Sequence, residues 1–374
     1  MDLFLMVNIV FAAGYLLFLL WLAKGWFSSK QGDCQQDEIK QALFFSILIP
    51  FRDEEQNIPR IIGDLLQQDY PRQSFELILI DDDSKDESVK IAESVLKDAS
   101  VACRILHSKG GKKAALAHGL HHAHGEYIIS LDADVRIGPQ LLRCYNHAFN
   151  NDHFKLVAGP VRFGPLNTFF ARLQAVEFSS LIVSAAAAIK LNRPIMLNAA
   201  NMGFEKAVAL EFETQIYSGK SSSGDDQFLM EAVIQKYGGR AIGFIKSREA
   251  IATTMPAENL AAFFRQRIRW ASKTGNYQSV FSRFIALFIA VFNLILLVDM
   301  AFIPMEKYRY FFFFLFGTKL LLDFPLIHSG LRFLKQQKLI RYYIPVQLLY
   351  PFYVLLTALL SPLIRIRWKG RPIK

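Results

Sequence analysis

Apolar residues crowd the two ends of the chain and thin out in its middle. Leu3 to Ala23 carries no charged side chain and is long enough to cross a bilayer, which takes roughly 20 residues. Only Asp2 lies between it and Met1, and the run exceeds the roughly 7–15 residues of a signal-peptide core, so it reads as a retained anchor. Three more apolar stretches follow Arg283. Phe284 to Pro304 is broken only by Asp299, Tyr308 to His328 contains Lys319 and Asp323, and Tyr342 to Ile364 is uncharged but carries Pro345, Pro351 and Pro362. Lys319 and Asp323 stand four residues apart, on one helical face, where they neutralise each other. They read either as an internal ion pair that makes insertion tolerable or as the polar lining of an acceptor path. The prolines of the last stretch predict a kinked helix or a re-entrant hairpin.

Between Lys24 and Arg283 the pattern is that of a folded domain. Phe44 to Pro50 reads as a buried strand ended by its proline. Apolar positions at helical spacing (Ile58, Ile61, Ile62, Leu65, Leu66) predict a helix over 54–68. Phe75 to Ile80 is a second strand. Ser84 to Leu96 is a helix with Ser84 as N-cap and Glu87 completing a capping box. A short strand over 102–106, a helix over 112–124, a strand over 127–131 and a helix over 227–237 follow. Strands alternating with helices through short loops predict an α/β fold with a mostly parallel sheet. The expected division is an anchor (1–24), a linker (25–43), a catalytic domain (44–257), an interfacial helix region (258–283), membrane segments (284–364) and a basic tail (365–374).

Charge adds a constraint. The formal net charge is +10, which suits anionic lipid, a phosphorylated substrate or nucleic acid. The basic residues cluster beside the membrane segments, so nucleic acid fits least. Arg332, Lys335, Lys338 and Arg341 fill one loop, and Arg365, Arg367, Lys369, Arg371 and Lys374 fill the tail. Both ask to be cytoplasmic, which three full C-terminal spans do not allow. Two to three C-terminal membrane helices are therefore expected, with the proline-rich last segment the one that does not cross. The three cysteines (Cys34, Cys103, Cys144) show no metal spacing and no even pairing, and read as reduced thiols.

Four polar signatures occur in fixed order: Asp81-Asp82-Asp83, Asp132-Ala133-Asp134, Asp225-Asp226, and Gln266 to Trp270. The first two follow strands, where open α/β sheets bind ligands. Clustered carboxylates repel unless a proton or cation intervenes. Lys112, in Lys109-Gly110-Gly111-Lys112-Lys113, opens a helix and favours phosphate, though the spacing is not that of a P-loop. Alternation along an extended chain would point Asp132 and Asp134 to one side, where Mg²⁺ or Mn²⁺ takes one or two carboxylates plus substrate phosphates.

With Pro50 to Glu55, Asn198 to Phe204 and the Trp368-Lys369-Gly370-Arg371 tail, this ordered set resembles the membrane-integrated branch of the family-2, inverting glycosyltransferases, whose fold is GT-A. The resemblance covers about residues 44–275 and implies roles. Asp82, with Asp81, lies against base and ribose. Lys112 lies near the nucleotide. Asp134 is the more direct metal ligand and Asp132 sits nearer ribose or metal. Asp226 is the general base, with Asp225, which replaces the usual Glu, as the alternative. Gln266, Arg269 and Trp270 form the QxxRW motif near diphosphate and acceptor. Asp83 stands where the family usually has Gly or Asn.

The expectation is a multi-pass protein of the cell membrane whose cytoplasmic domain transfers a sugar from a nucleotide sugar, read as a UDP-sugar, to a lipid or lipid-linked acceptor. A processive polysaccharide synthase is the alternative enzyme. A membrane scaffold with a degenerate transferase domain is the alternative of another class, and the presence of every key acid argues against it.

Overall fold

The computed structural model describes residues 3–374 apart from 33, 35–38, 40, 218–223, 273–278, 307, 365, 366, 369, 370, 373 and 374. Ser221 to Ser223, which precede the Asp225-Asp226 signature, therefore lie outside the described residues. In chain order the helices are α1 (Leu3–Ser28), α2 (Ile58–Leu66), α3 (Ser88–Leu96), α4 (Lys112–His122), α5 (Leu141–Asp152), α6 (Phe169–Lys190), α7 (Lys206–Glu211), α8 (Glu213–Tyr217), α9 (Asp225–Tyr237), α10 (Leu260–Ala271), α11 (Val280–Ala301), α12 (Arg309–Phe333) and α13 (Tyr343–Leu360). The strands are β1 (Phe45–Phe51), β2 (Phe75–Asp81), β3 (Ala102–His107), β4 (Tyr127–Leu131), β5 (Leu156–Ala158), β6 (Val161–Phe163), β7 (Asn201–Glu205), β8 (Ile242–Phe244), β9 (Ala252–Thr254) and, in the tail, the antiparallel pair β10 (Arg367–Trp368) and β11 (Arg371–Pro372). The chain forms two compact units.

The α/β unit comprises 30–164, 189–255 and 367–374. Its seven-stranded sheet runs β3-β2-β1-β4-β7-β5-β8. The β1–β2, β2–β3, β1–β4 and β5–β8 pairs are parallel, and β7 runs antiparallel to both β4 and β5. β1 and β2 are buried at every position, as continuous apolar runs covered on both faces should be. From β1 the chain builds β2 and β3 on one side, then returns to place β4 on the other. That reversal is the topological switch point where open sheets bind ligands. β1 runs through Pro50 to Phe51 rather than ending at the proline. β4 pairs with β1 only as far as Leu48, so the missing N–H breaks no ladder there.

Two local expectations are corrected. The helix expected from Ser84 begins at Ser88. The Ser84 hydroxyl instead accepts from the Asp53 amide at 3.0 Å, and the Ser84 amide donates to Asp81 Oδ1 at 3.0 Å. These bonds to the Asp53 amide and the Asp81 carboxylate hold 82–87 as a loop, outcompeting the capping box. Cys34 and Cys144 are not separate thiols but a disulfide, with Cα atoms 5.2 Å apart across 110 residues of sequence. Tertiary proximity of this kind leaves no trace in cysteine spacing. Cys103 is free and half-buried.

The apolar unit comprises 1–29, 165–188 and 256–366. It takes in residues 165–188, inside the expected 44–257 domain, because α6 is an apolar helix of 22 residues. Five helices of the described residues are long and apolar enough to cross a membrane: 4–28, 169–190, 280–301, 309–333 and 337–360. α13 continues through Pro351 as one helix. α1 packs along α12, where the Trp26 indole N–H donates to Ser329 Oγ at 2.8 Å, and against α11, where the Tyr15 ring stacks on Phe292 at 4.1 Å. A Cβ on Gly25 would meet the Ala187 carbonyl oxygen at 2.3 Å, so the Ala185–Ala188 run and Gly25 together let the α1 and α6 backbones approach closely.

Lys319 and Asp323 are both buried. Lys319 Nζ donates to Asp323 Oδ2 and to Gln347 Oε1, the Gln347 amide donates to Asp323 Oδ2 at 3.0 Å, and Tyr15 Oη donates to Asp323 Oδ1 at 2.5 Å. Of the two readings, the internal ion pair is the one this geometry supports: the network ties α1, α12 and α13.

Candidate functional site

The acidic loops gather at the C-terminal ends of β1, β2 and β4. Asp81 closes β2, and its Oδ2 lies 3.3 Å from His107 Nδ1 at the end of β3. Asp82 is buried. Its amide donates to the Phe51 carbonyl at 2.8 Å, and its Oδ1 accepts from the Gly111 amide at 2.8 Å. Arg52 Nη1 donates to the Asp82 carbonyl at 2.9 Å. The loop after β2 is thus tied both to the end of β1 and to the start of α4.

Two backbone positions explain residue choice. Gly111 has φ 85°, a region glycine enters without a Cβ penalty, and it delivers Lys112 to the first position of α4. Asp83 has φ 61°. Left-handed backbone favours Gly and Asn, and Asp tolerates it less well. The departure from the resembled pattern is therefore accommodated at a strained turn, where Lys85 pairs with Asp83 at 3.2 Å and holds its carboxyl below the ordinary value.

Asp132 and Asp134 follow β4 in a turn rather than an extended segment, so side-to-side alternation is not what aligns them. Ala133 between them is buried. Lys112 Nζ forms an ion pair with Asp132 Oδ1. Asp134 Oδ2 accepts from Thr254 Oγ1, at the end of β9, at 3.0 Å. Burial, then the charges of Asp132 and Glu54, push the Asp134 carboxyl up to about 6 from 3.8. Three acids, Glu54, Asp132 and Asp134, crowd this corner. Among the described residues no group of three or more His, Cys, Asp or Glu side chains could hold a metal. Two carboxylates completed by substrate oxygens are, however, the usual protein share of a Mg²⁺-type site, and the Asp132–Asp134 pair fits that share.

Asp225 and Asp226 open α9 behind Gly224, whose φ is 101°. Asp226 is buried, and its Oδ1 accepts from the Gln227 amide at 2.8 Å. Phe228, one turn on, receives the Lys113 ammonium over its ring at 4.5 Å. The helix bearing the acids is thereby attached to the helix that Lys112 begins.

The structure thus brings Asp81, Asp82, Lys112, Asp132 and Asp134 together. Gln266, Arg269 and Trp270 belong to the apolar unit, on α10. There the organising residue is Arg267, which sequence reasoning passed over. It is buried, pairs with Glu177 of α6, donates to Gln266 Oε1 at 2.6 Å, and lies 4.6 Å and 4.3 Å from the Phe263 and Trp270 ring centres. Glu54 and Thr254 were missed as well. No local signal marks Arg267, because its partner Glu177 lies 90 residues away in sequence.

Residues 46–209 match the family model described as Glycosyl transferase family 2. An undecaprenyl-phosphate 4-deoxy-4-formamido-L-arabinose transferase of Shewanella sediminis is 37% identical over 100 residues, 26% of this chain and 30% of that protein. An N-acetylglucosaminyltransferase of Rhizobium leguminosarum bv. viciae is 24% identical over 238 residues, 61% of this chain and 55% of that protein. The matches thus span well under two thirds of these relatives' lengths. The mannosyltransferase PcManGT from Pyrobaculum calidifontis, solved with GDP-Man and Mn²⁺, superposes with a TM-score of 0.58 at 14% identity, over 96% of this chain and 99% of that one. This likeness shows a shared GT-A-type fold.

Proposed function

We propose that this chain, which carries a family 2 glycosyltransferase domain, transfers one sugar from a nucleotide-sugar donor, a UDP-sugar, to a lipid or lipid-linked acceptor at the cytoplasmic membrane face, with inversion. The observation that carries this reading is the joining of Asp82, Gly111, Lys112 and Asp132 at the switch point of the sheet. The name of one relative, an undecaprenyl-phosphate transferase, supports a lipid-phosphate acceptor.

Each residue has a part. Asp81 and Asp82 accept hydrogen bonds from base and ribose; a carboxylate has about four acceptor positions, so holding Gly111 does not exhaust Asp82. Lys112 meets a donor phosphate. Asp134 and Asp132 would hold Mg²⁺ or Mn²⁺, which stabilises charge on a departing diphosphate, and the Mn²⁺ of the similarly folded mannosyltransferase supports that choice. Asp226 takes the proton of the acceptor hydroxyl, and Asp225 is the alternative base. Arg269 and Trp270 serve the diphosphate and acceptor ends. The cytoplasmic face is read from the basic loop at 332–341. The Cys34–Cys144 disulfide is the opposing observation, since such bonds persist in oxidising compartments, and labelling of Cys103 from outside intact cells tests the side.

Because the Asp134 carboxyl titrates near 6 in the ion-free protein, proton and metal compete for it. The folded state binds this proton more tightly than the unfolded state, so without metal its contribution to stability falls as pH rises from 3.8 to about 6. Mn²⁺ affinity should run the other way, falling about tenfold per pH unit below about 6 and levelling off above it. Titration of Mn²⁺ binding from acid to neutral pH checks this, and a flat profile refutes it.

Thermal stabilisation by a panel of nucleotide sugars with Mn²⁺ tests the donor, since a ligand of the folded state raises stability by mass action. No stabilisation by any UDP-sugar removes that choice of donor. Product length tests single transfer: long polymer from the purified chain establishes the processive synthase instead.

A further inference from the structure

Within the apolar unit, α6, α10 and α13 enclose a crevice of about 220 Å³. Its walls include Leu173 of α6, Phe263 and Phe264 of α10, and Val346, Leu349 and Phe352 of α13. Three polar side chains reach it (Gln174, Glu177 and Tyr353), and all are engaged within the unit. Gln174 exchanges two hydrogen bonds with the Ala257 backbone, each 2.9 Å. Glu177 pairs with Arg267 and accepts from Tyr353 Oη at 2.8 Å. What remains facing the crevice is almost wholly apolar. Leu349 and Phe352 are 53% and 48% exposed at its mouth, so it opens on the outer face of a membrane-length helix.

We propose that this crevice holds the hydrocarbon chain of the acceptor, a phosphate-headed membrane lipid. The inference rests on the lipid-acceptor reading above and adds where the chain lies. Size is the first argument. Sites for whole small molecules run to about 300–1,000 Å³, so this volume suits a segment of chain rather than a head group or a sugar. Charge is the second. α10 buries Phe263 and Ile268 and exposes Arg265, the character of a helix lying at the membrane surface, where its cations meet anionic head groups. The same helix therefore offers a basic flank to a phosphate and an apolar wall to the tail attached to it. The third argument is shape. Filling the crevice with Gln174 and Glu177 side chains would have been possible, yet both are turned into internal bonds that leave an apolar floor. A carboxylate beside an empty apolar slot would be costly unless paired, and Arg267 supplies that pairing. Arg267 thus serves the crevice and the Gln266–Trp270 motif together.

The test uses the full chain in phosphatidylcholine nanodiscs with a polyprenyl phosphate bearing a diazirine in its tail. Illumination and peptide mapping should place the label on peptides containing Leu173, Phe263 or Phe352. Leu349→Trp, which fills the mouth from an exposed position, should lower this labelling about tenfold, the factor for ~1.4 kcal/mol. Leu359→Trp, on the exposed face of the same helix, should leave it unchanged. Label spread over Val280, Leu321 and Leu363 in proportion to their exposure overturns the proposal. So does equal labelling of the crevice by a diazirine phosphatidylcholine, or labelling that survives Leu349→Trp. Donor binding, read by thermal stabilisation of the same samples, separates the two readings. A protein that binds donor with an unlabelled crevice loses this proposal alone. One labelled in the crevice that never transfers sugar keeps the crevice and loses the transferase reading.

Discussion

Asp226→Asn should lower the rate of sugar transfer by about 10²–10⁴-fold, the usual contribution of a positioned general base, while donor binding stays near wild type. An acceptor hydroxyl is a poor nucleophile until its proton leaves, and the amide cannot take that proton. The substitution is nearly isosteric. The Gln227 amide that donates to Asp226 Oδ1 at 2.8 Å can still find the amide oxygen, so the start of α9 should hold. Single-turnover transfer with donor affinity measured in parallel separates this from a folding defect. Asp225→Asn is the control that assigns the base: if it carries the large loss and Asp226→Asn does not, the proton goes to Asp225.

Lys319→Met should destabilise the apolar unit by about 3–5 kcal/mol, because removing one partner of a buried ion pair strands the other. Asp323 would keep Tyr15 and Gln347 as donors but lose its only paired cation among the described residues. The double variant Lys319→Met/Asp323→Leu should recover most of the loss, since replacing both members by apolar groups is often neutral. Thermal unfolding in detergent, run as a double-mutant cycle, measures both terms. An acceptor path lined by these residues predicts a different result: transfer falls while stability does not.

The sequence made the acidic corner legible because its parts are local. Asp81-Asp82 and Asp132-Asp134 each follow a buried apolar strand, and Lys112 opens a helix directly after the Gly110-Gly111 turn. What stayed hidden depends on distance along the chain. The sheet is mostly parallel, as strand–helix alternation predicts, but which strand runs antiparallel stayed hidden: β7 does, because its partners β4 and β5 are chosen by tertiary packing. α6 reads as ordinary domain sequence until Gly25 and Gly330 are seen to accept its Ala187 and Val183 at close range. Arg267 looked like a spacer in the Gln266–Trp270 motif, since its meaning lies in Glu177, on another helix. The loop at 82–87 reads as a helix start because Ser84 has the right side chain for a cap; the Asp53 amide and the Asp81 carboxylate, brought to it by the fold, engage Ser84 instead.

The most direct test of the central claim is release of nucleoside diphosphate by the purified chain in lipid nanodiscs containing polyprenyl phosphate, with UDP- and GDP-sugars offered in turn. The account predicts release from at least one UDP-sugar that requires Mn²⁺ or Mg²⁺, depends on the acceptor lipid, and disappears in Asp226→Asn with Asp225 intact. Release from none of these donors, or release that persists unchanged in both Asp226→Asn and Asp225→Asn, would contradict it.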